Sequence, residues 1–269
     1  MYLVPPVVVG YDGSEPAARA VRFAAAEAAR RRRPLGIVHV RDGVTAYGES
    51  AVRLSAAIDI ARAHVAESDI VAVDPIGDAA TELLRESLGA DLLVVGRGVV
   101  DRLVDALGSV SQAAVTRASC PVVVLAGSDP GAEDPDKERG AVVAGVKHLE
   151  AAEHILDLAF AEAQLWGRGL EVVHCWRHAH DPVLKGEGLS ARLREAVDRV
   201  AAKYSDVEVS LAIPRGSPVD ALLIAGESAA LVVIGAPRFG PVRGTLLAST
   251  AQALLGDGSC PVMFVPRSI

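Results

Sequence analysis

Three cysteines in 269 residues, Cys120, Cys175 and Cys260, are few, odd in number and nowhere spaced Cys-x-x-Cys. That usage offers neither a disulfide framework nor a structural zinc site, and it leads us to expect a reducing, cytoplasmic setting. Long apolar runs are also missing. None approaches the ~20 residues of a membrane span, although 51% of the chain is apolar, enough for a large core. The N-terminal stretch MYLVPPVVVGYDGS lacks the basic region of a secretory signal and runs straight into a short apolar segment. Cations are outnumbered, 27 Lys and Arg against 34 Asp and Glu, for a formal net charge of −7. A phosphate backbone is repelled by such a chain on average, so neither nucleic acid nor membrane is an expected partner. The one basic cluster, Arg30-Arg31-Arg32-Arg33, closes a helical stretch, where cations suit the negative end of the helix dipole. Two catalytic signatures are absent as well: there is no Gly-Lys-Ser/Thr phosphate-binding lysine and no Gly-x-Ser-x-Gly nucleophile elbow.

What the chain does contain is alternation. VVVGY (7–11), LGIVHV (35–40), DIVAV (69–73), DLLVVG (91–96) and PVVVLA (121–126) are continuous runs of Val, Ile and Leu, the pattern of strands buried on both faces. Between them, 15–33, 51–67, 77–89 and 108–118 have helical period. Strand and helix in alternation imply right-handed crossovers and a helix-covered parallel sheet. GSDPGAEDPDKERG (127–140), rich in Gly, Pro and acidic residues, reads as a linker.

The pattern then starts again. AVVAGV (141–146) answers PVVVGY, LEVVHCW (170–176) answers LGIVHVR, VEVSLAIP (207–214) answers DIVAVDP, AALVVIG (229–235) answers ADLLVVG, and SCPVMFVP (259–266) answers SCPVVVLA. His39 and His174 lie 135 residues apart, Gly96 and Gly235 139, Cys120 and Cys260 140. So slow a drift over five elements marks an internal duplication. The expected fold is therefore α/β: two repeated, open, five-stranded parallel sheets with helices on both faces, as units 1–126 and 141–269 around the linker.

In such a sheet a ligand sits beyond the carboxyl ends of the strands, where the winding reverses. If the first strand lies beside the fourth, two loops face that crevice. One carries Asp12-Gly13-Ser14. The other carries Gly96-Arg97-Gly98 and leads, nine residues on, to Gly108-Ser109-Val110-Ser111 at the start of a helix. Glycine lets backbone N–H groups approach an anion, and Ser109 as an N-cap would open a helix whose exposed amides suit phosphate. Asp12 has the chemistry to accept hydrogen bonds from a base or ribose, or to hold a phosphate-bound metal. A functionless glycine turn fits the same spacing.

Together these residues resemble the universal stress protein family: hydrophobic-Gly-x-Asp-Gly-Ser, a strand ending His-Val, Asp-Leu-Leu-Val-Val-Gly, Gly-nine-Gly-Ser-Val-Ser, then Ser-Cys-Pro-Val-Val-Val. The likeness runs through nearly the whole chain, twice. It implies a doubly wound sheet of the adenine-nucleotide α-hydrolase type and, for ATP-binding members, a Gly-two-Gly-nine-Gly-Ser/Thr loop. Carried over by position, the nucleotide roles fall on Asp12, Val40, Gly96, Arg97, Gly98, Gly108, Ser109, Val110 and Ser111, with ATP, accompanied by Mg2+, as the ligand. The chain departs from that pattern in having one residue, Arg97, between the first two glycines instead of two, which removes up to ~3.5 Å of reach. Val99-Val100-Asp101 is bulky and acidic; Asp101 and Asp105 would repel a triphosphate that Arg97 and Arg102 would attract.

The second unit departs further. Lys147 stands for Asp12, Arg238 and Ala248 stand where glycines are expected, and Pro237 removes a donor. It reads as a degenerate, mainly structural copy, with an altered anion site as the other reading. HCWRHAHD (174–181) gathers three histidines, a cysteine and an aspartate, but His174 repeats His39 within the strand pattern, and His178, His180 and Asp181 fall in a loop, so no metal is expected. Cys175 reads as a small apolar residue. The last strand of each unit would be an apolar sheet edge, and the resemblance implies that such edges pair, joining the halves; a homodimer is a further expectation. Two functions stay open: a nucleotide-responsive stress protein with little or no chemistry of its own, and a nucleotide-free scaffold. A pyrophosphatase of the same wider group is disfavoured, because Ser-Gly-Gly-x-Asp-Ser is absent.

Overall fold

The computed structural model describes residues 4–43, 47–97, 108–125, 140–149, 152–175, 186–237 and 249–266. The first repeat runs β1 (Val7–Gly10), α1 (Glu15–Arg31), β2 (Leu35–Val38), α2 (Tyr47–Ala61), a short 3-10 turn (Glu67–Asp69), β3 (Ile70–Val73), α3 (Ala79–Glu86), β4 (Leu92–Gly96), α4 (Ser109–Arg117) and β5 (Val122–Leu125). The second runs β6 (Val142–Gly145), α5 (Ala152–Trp166), β7 (Leu170–Val173), α6 (Gly186–Ala201), β8 (Val209–Ala212), α7 (Pro218–Gly226), β9 (Leu231–Gly235), α8 (Ser249–Asp257) and β10 (Val262–Val265).

Each repeat forms five parallel strands, in the order 3-2-1-4-5 in the first and its equivalent in the second. The two do not remain separate sheets. β5 and β10 pair antiparallel, with Val123 opposite Met263, so the chain builds one ten-stranded sheet, β3-β2-β1-β4-β5-β10-β9-β6-β7-β8. Each apolar edge is covered by the other, which removes two templates for aggregation at once. The carboxyl ends of the two halves consequently point in opposite directions.

Both hydrophobic layers continue across that seam. On one face α1, α2, α5 and α6 pack over Val7, Val9, Leu92, Val123, Val142 and Met263. On the other, α3, α4, α7 and α8 cover Val8, Val95, Val124, Val262 and Phe264. α1 shows why the sequence folds this way. Ser14 accepts the Ala17 amide at its start, Pro16 sits in the first turn, and Ala17, Ala20, Ala24 and Ala28 are small enough to lie close on the sheet. It ends at Arg32, whose φ of 53° closes the last carbonyls of Ala28 and Ala29.

The arginine run does more than complement a dipole. Arg31 directs one guanidinium nitrogen at both Glu162 oxygens of α5, each at 2.6 Å. The others reach Glu27 at 3.0 Å and Asp91 at 3.2 Å. Arg30 also pairs with Glu27 and lies 5.0 Å over the Trp166 ring, while Arg33 stands 3.8 Å from Asp91. Glu27 and Glu162 are both fully buried. This ion cluster, with Phe23 against Trp166, joins the first repeat to the second on the α1/α5 face.

Burial pushes the Glu162 carboxyl up from 4.5 to about 7; Arg31 pulls against that shift, and Glu27 and Asp91 add to it. A carboxyl whose folded value lies above its unfolded one binds more protons when folded. Its contribution to stability is therefore complete below the unfolded value and is lost as pH rises through the folded one. Urea unfolding of the full chain is expected to lose free energy between about pH 5 and about pH 8, and Glu162→Gln is expected to flatten that slope. An unchanged slope in the variant would assign it to other groups.

Candidate functional site

β1 lies between β2 and β4, so the winding reverses there and a crevice opens above the carboxyl ends of β1 and β4. The loop after β1 is tightly specified. The Tyr11 amide donates to Val38 O at 2.9 Å, and Tyr11 O meets His39 Nδ1 at 2.8 Å. Asp12 Oδ1 then accepts the Ser14 amide at 2.9 Å, closing a turn in which Gly13 takes φ +88°. Arg53 of α2 donates to Asp12 O at 3.3 Å and to Glu49 at 2.7 Å. The Asp12 carboxylate stays exposed at the rim. Val40 is half-buried and packs on the α3/α4 side, while Arg41 and the buried Ser50 hold Asp74 behind it.

The loop after β4 begins at the tightest point of the site. A Cβ on Gly96 would stand 2.5 Å from Pro16 O and 2.7 Å from Pro16 C, so only glycine lets β4 end against the first turn of α1. Gly96 O in turn accepts the Ser111 hydroxyl at 2.9 Å, drawing the first turn of α4 to the same place. The N-terminal ends of α1 and α4 and the end of β4 thus meet at one residue. Arg97 does not stand free over the crevice: its amide donates to Leu125 O at 3.3 Å and its guanidinium to Gly256 O of the second repeat at 3.0 Å.

One expectation changes in detail. The N-cap of α4 is Gly108, with extended backbone and no side-chain acceptor, and Ser109 is the first helical residue. Gly108 serves there because its own carbonyl opens the ladder, accepting the Gln112 amide at 3.0 Å. Among the described residues no side chain caps the first-turn amides, which is the arrangement an anion completes. Ser109 is exposed, Val110 half-buried and Ser111 buried. Gly98, together with Val99, Val100, Asp101, Arg102 and Asp105, lies outside the described residues.

In the second repeat His174 Nδ1 meets Val146 O at 2.8 Å, with the 28-residue separation of the first histidine pair. Lys147 is exposed where Asp12 stands, and the Ala236 amide donates to Val265 O at 2.9 Å as Arg97 does to Leu125. Arg238, Ala248, His178, His180 and Asp181 lie outside the described residues. Cys175 is half-buried, its thiol pushed up by burial. Cys120 is buried and pushed up to about 11 for the same reason.

Two copies of one sheet order, each with its histidine tied to the loop after its first strand, agree with the sequence comparisons. The model of the universal stress protein family matches residues 4–126 and again 138–266. The chain belongs to the universal stress protein family. A universal stress protein of Mycobacterium tuberculosis strain H37Rv is 32% identical over 291 residues, spanning 97% of both chains. One from Mycolicibacterium smegmatis is 30% identical over 290 residues, again with 97% of each covered. Among solved structures, that of a universal stress protein from Archaeoglobus fulgidus superposes with a TM-score of 0.76 at 18% identity, covering 99% of this chain and 100% of that one. The likeness to that structure confirms the fold. Among the described residues of this tandem universal stress protein, no helix is long and apolar enough to cross a membrane.

Sequence reading missed three ties in this site: His39 to Tyr11, Ser111 to Gly96 and Arg97 to Gly256. The first left a signal, the same His-Val or His-Cys at the end of the second strand in each repeat.

Proposed function

We propose that the first repeat binds an adenine nucleotide, ATP with Mg2+, and that the chain acts as a cytoplasmic nucleotide-responsive regulator and not as a catalyst. The observation that carries this reading is the convergence at Gly96. Two helix N-termini converge on the end of β4, α4 having no side-chain cap among the described residues, and the turn that opens α1 presents the exposed Asp12 carboxylate. Phosphates suit the amides at the start of α4. Val40 offers an apolar side to the base, and Asp12 a hydrogen-bond acceptor to the base or the ribose, or a hard oxygen ligand to the accompanying cation. The second repeat, with Lys147 in place of Asp12, serves mainly as structure, and the linker 127–140 separates the two units.

Thermal unfolding tests this. ATP at about 100 times its dissociation constant stabilises a folded binder by about 2.7 kcal/mol, which for a chain of this size is expected to raise Tm by several degrees. Gly108→Arg, which places a long side chain at the helix start, is expected to abolish the shift. No shift with ATP would leave the nucleotide-free scaffold as the function, and an equal shift in the variant would take the nucleotide away from the start of α4.

A further inference from the structure

The two repeats meet through two junctions that are equivalent by the internal symmetry, and the chain treats them differently. At one, Arg97 reaches from the end of β4 to Gly256 O in the last turn of α8, at 3.0 Å and partly buried. Its counterpart at the other, 139 residues on, is Ala236, which has no side chain to extend. Where that second bridge would run, between Ala236 and Thr116 (the counterpart of Gly256), the structure has instead a groove of about 800 Å3, lined also by Arg117, His154 and Leu158. The helix ends are unequal in the same sense. α4 finishes with its own cation, Arg117. α8 has no basic residue in its last turn and ends on Asp257, an anion at the negative end of the helix. Arg97 therefore supplies from the first repeat the positive charge that the last turn of α8 lacks, together with a donor to its Gly256 carbonyl.

The origin of that bridge makes it more than a fastening. Arg97 directly follows Gly96, the residue wedged against Pro16 of α1 and hydrogen-bonded to Ser111 of α4. Whatever steadies the first turn of α4 also steadies Gly96, and with it the root of the Arg97 side chain. From these contacts we infer that Arg97 is a strut, built at one junction and not at its counterpart, that couples occupancy of the first repeat's crevice to the α7/α8 face of the second. The inference rests on nucleotide binding by the first repeat and adds its output: the second repeat, poor in ligand groups of its own, is the part that senses the ligand. Coupling of this kind is reciprocal, so loosening the end of α8 also weakens the ligand.

Hydrogen exchange on the full chain reads it, with thermal unfolding as an independent measure of binding. In the native protein, ATP is expected to slow exchange of the amides around residues 254–258 by about tenfold, the scale of one charge-assisted hydrogen bond. Arg97→Ala is expected to speed their exchange without ATP and to lose the response to it. Arg97→Lys, which keeps charge and reach but not the planar fork, is expected to retain part of the response. If ATP raises Tm while these amides do not change, or if Arg97→Ala responds like the native chain, the strut is overturned and nucleotide binding stands. If ATP leaves Tm unchanged, nucleotide binding and the coupling both fall.

Discussion

Arg31→Met is expected to lower the unfolding free energy of the full chain by about 3–5 kcal/mol, the cost of stripping its partner from a buried charge. Arg31 is the only cation that touches Glu162 among the described contacts, holding both its oxygens at 2.6 Å, and Glu162 is 2% exposed. Glu27 would keep Arg30, and Asp91 would keep Arg33. Glu162 would be left facing two carboxylates without compensation, so it would take up a proton and lose its hydrogen bonds at once. Replacing both partners, Arg31→Met with Glu162→Leu, removes the stranded charge together with its cause and is expected to recover most of the loss, because a buried pair seldom outperforms apolar packing of like volume. Urea titration at neutral pH compares the three chains. A cost under about 1 kcal/mol for Arg31→Met would put the cluster in the class of solvated surface pairs and remove it as the fastening between α1 and α5.

The sheet was legible because burial on both faces leaves a plain trace. Val7–Val9, Leu92–Val95 and Val262–Val265 need apolar residues at every position, and no other common element does. The duplication was legible for the same reason, since each repeat must fill the same pleats. Helix ends were read less well where tertiary contacts set them. α2 begins at Tyr47, ahead of the apolar periodicity, and finishes at Ala61, leaving Glu67–Asp69 to a separate turn. The Glu27–Arg31 pair is visible as an i,i+4 spacing within α1, but Glu162 lies 131 residues away and nothing local points to it. The candidate site divides along the same line. Asp12-Gly13-Ser14 and Gly96 carry their roles in residue type and neighbours, whereas Arg97 finds Gly256 at a separation of 159 residues, a choice made by the antiparallel seam.

Equivalent glycines in the two repeats should respond unequally to the same substitution. Gly96→Ala is expected to destabilise the chain by about 2–3 kcal/mol, as overpacking does where the neighbour cannot yield. The added methyl would meet Pro16 O at 2.5 Å, Pro16 C at 2.7 Å and the Ala17 amide nitrogen at 3.1 Å, all backbone of a capped helical turn. Relief requires moving the start of α1 away from β4, and that movement drags the Asp12 turn and Ser14 cap with it. Among the described residues, Gly235→Ala meets only Ile155, with Cδ1 at 3.2 Å and Cγ1 at 4.0 Å, a flexible side chain, and is expected to cost less than about 1 kcal/mol. Gly226→Ala, with its nearest neighbours Cys260 Sγ and Val232 Cγ2 both at 3.5 Å in ordinary contact, controls for the loss of a helical glycine and should be neutral or slightly stabilising. Comparing denaturation midpoints of the three variants isolates the backbone clash from glycine chemistry in general. Equal losses at Gly96 and Gly235 would mean that the start of α1 yields as readily as a side chain, and the crevice between Asp12 and α4 would then have no fixed width to offer a ligand.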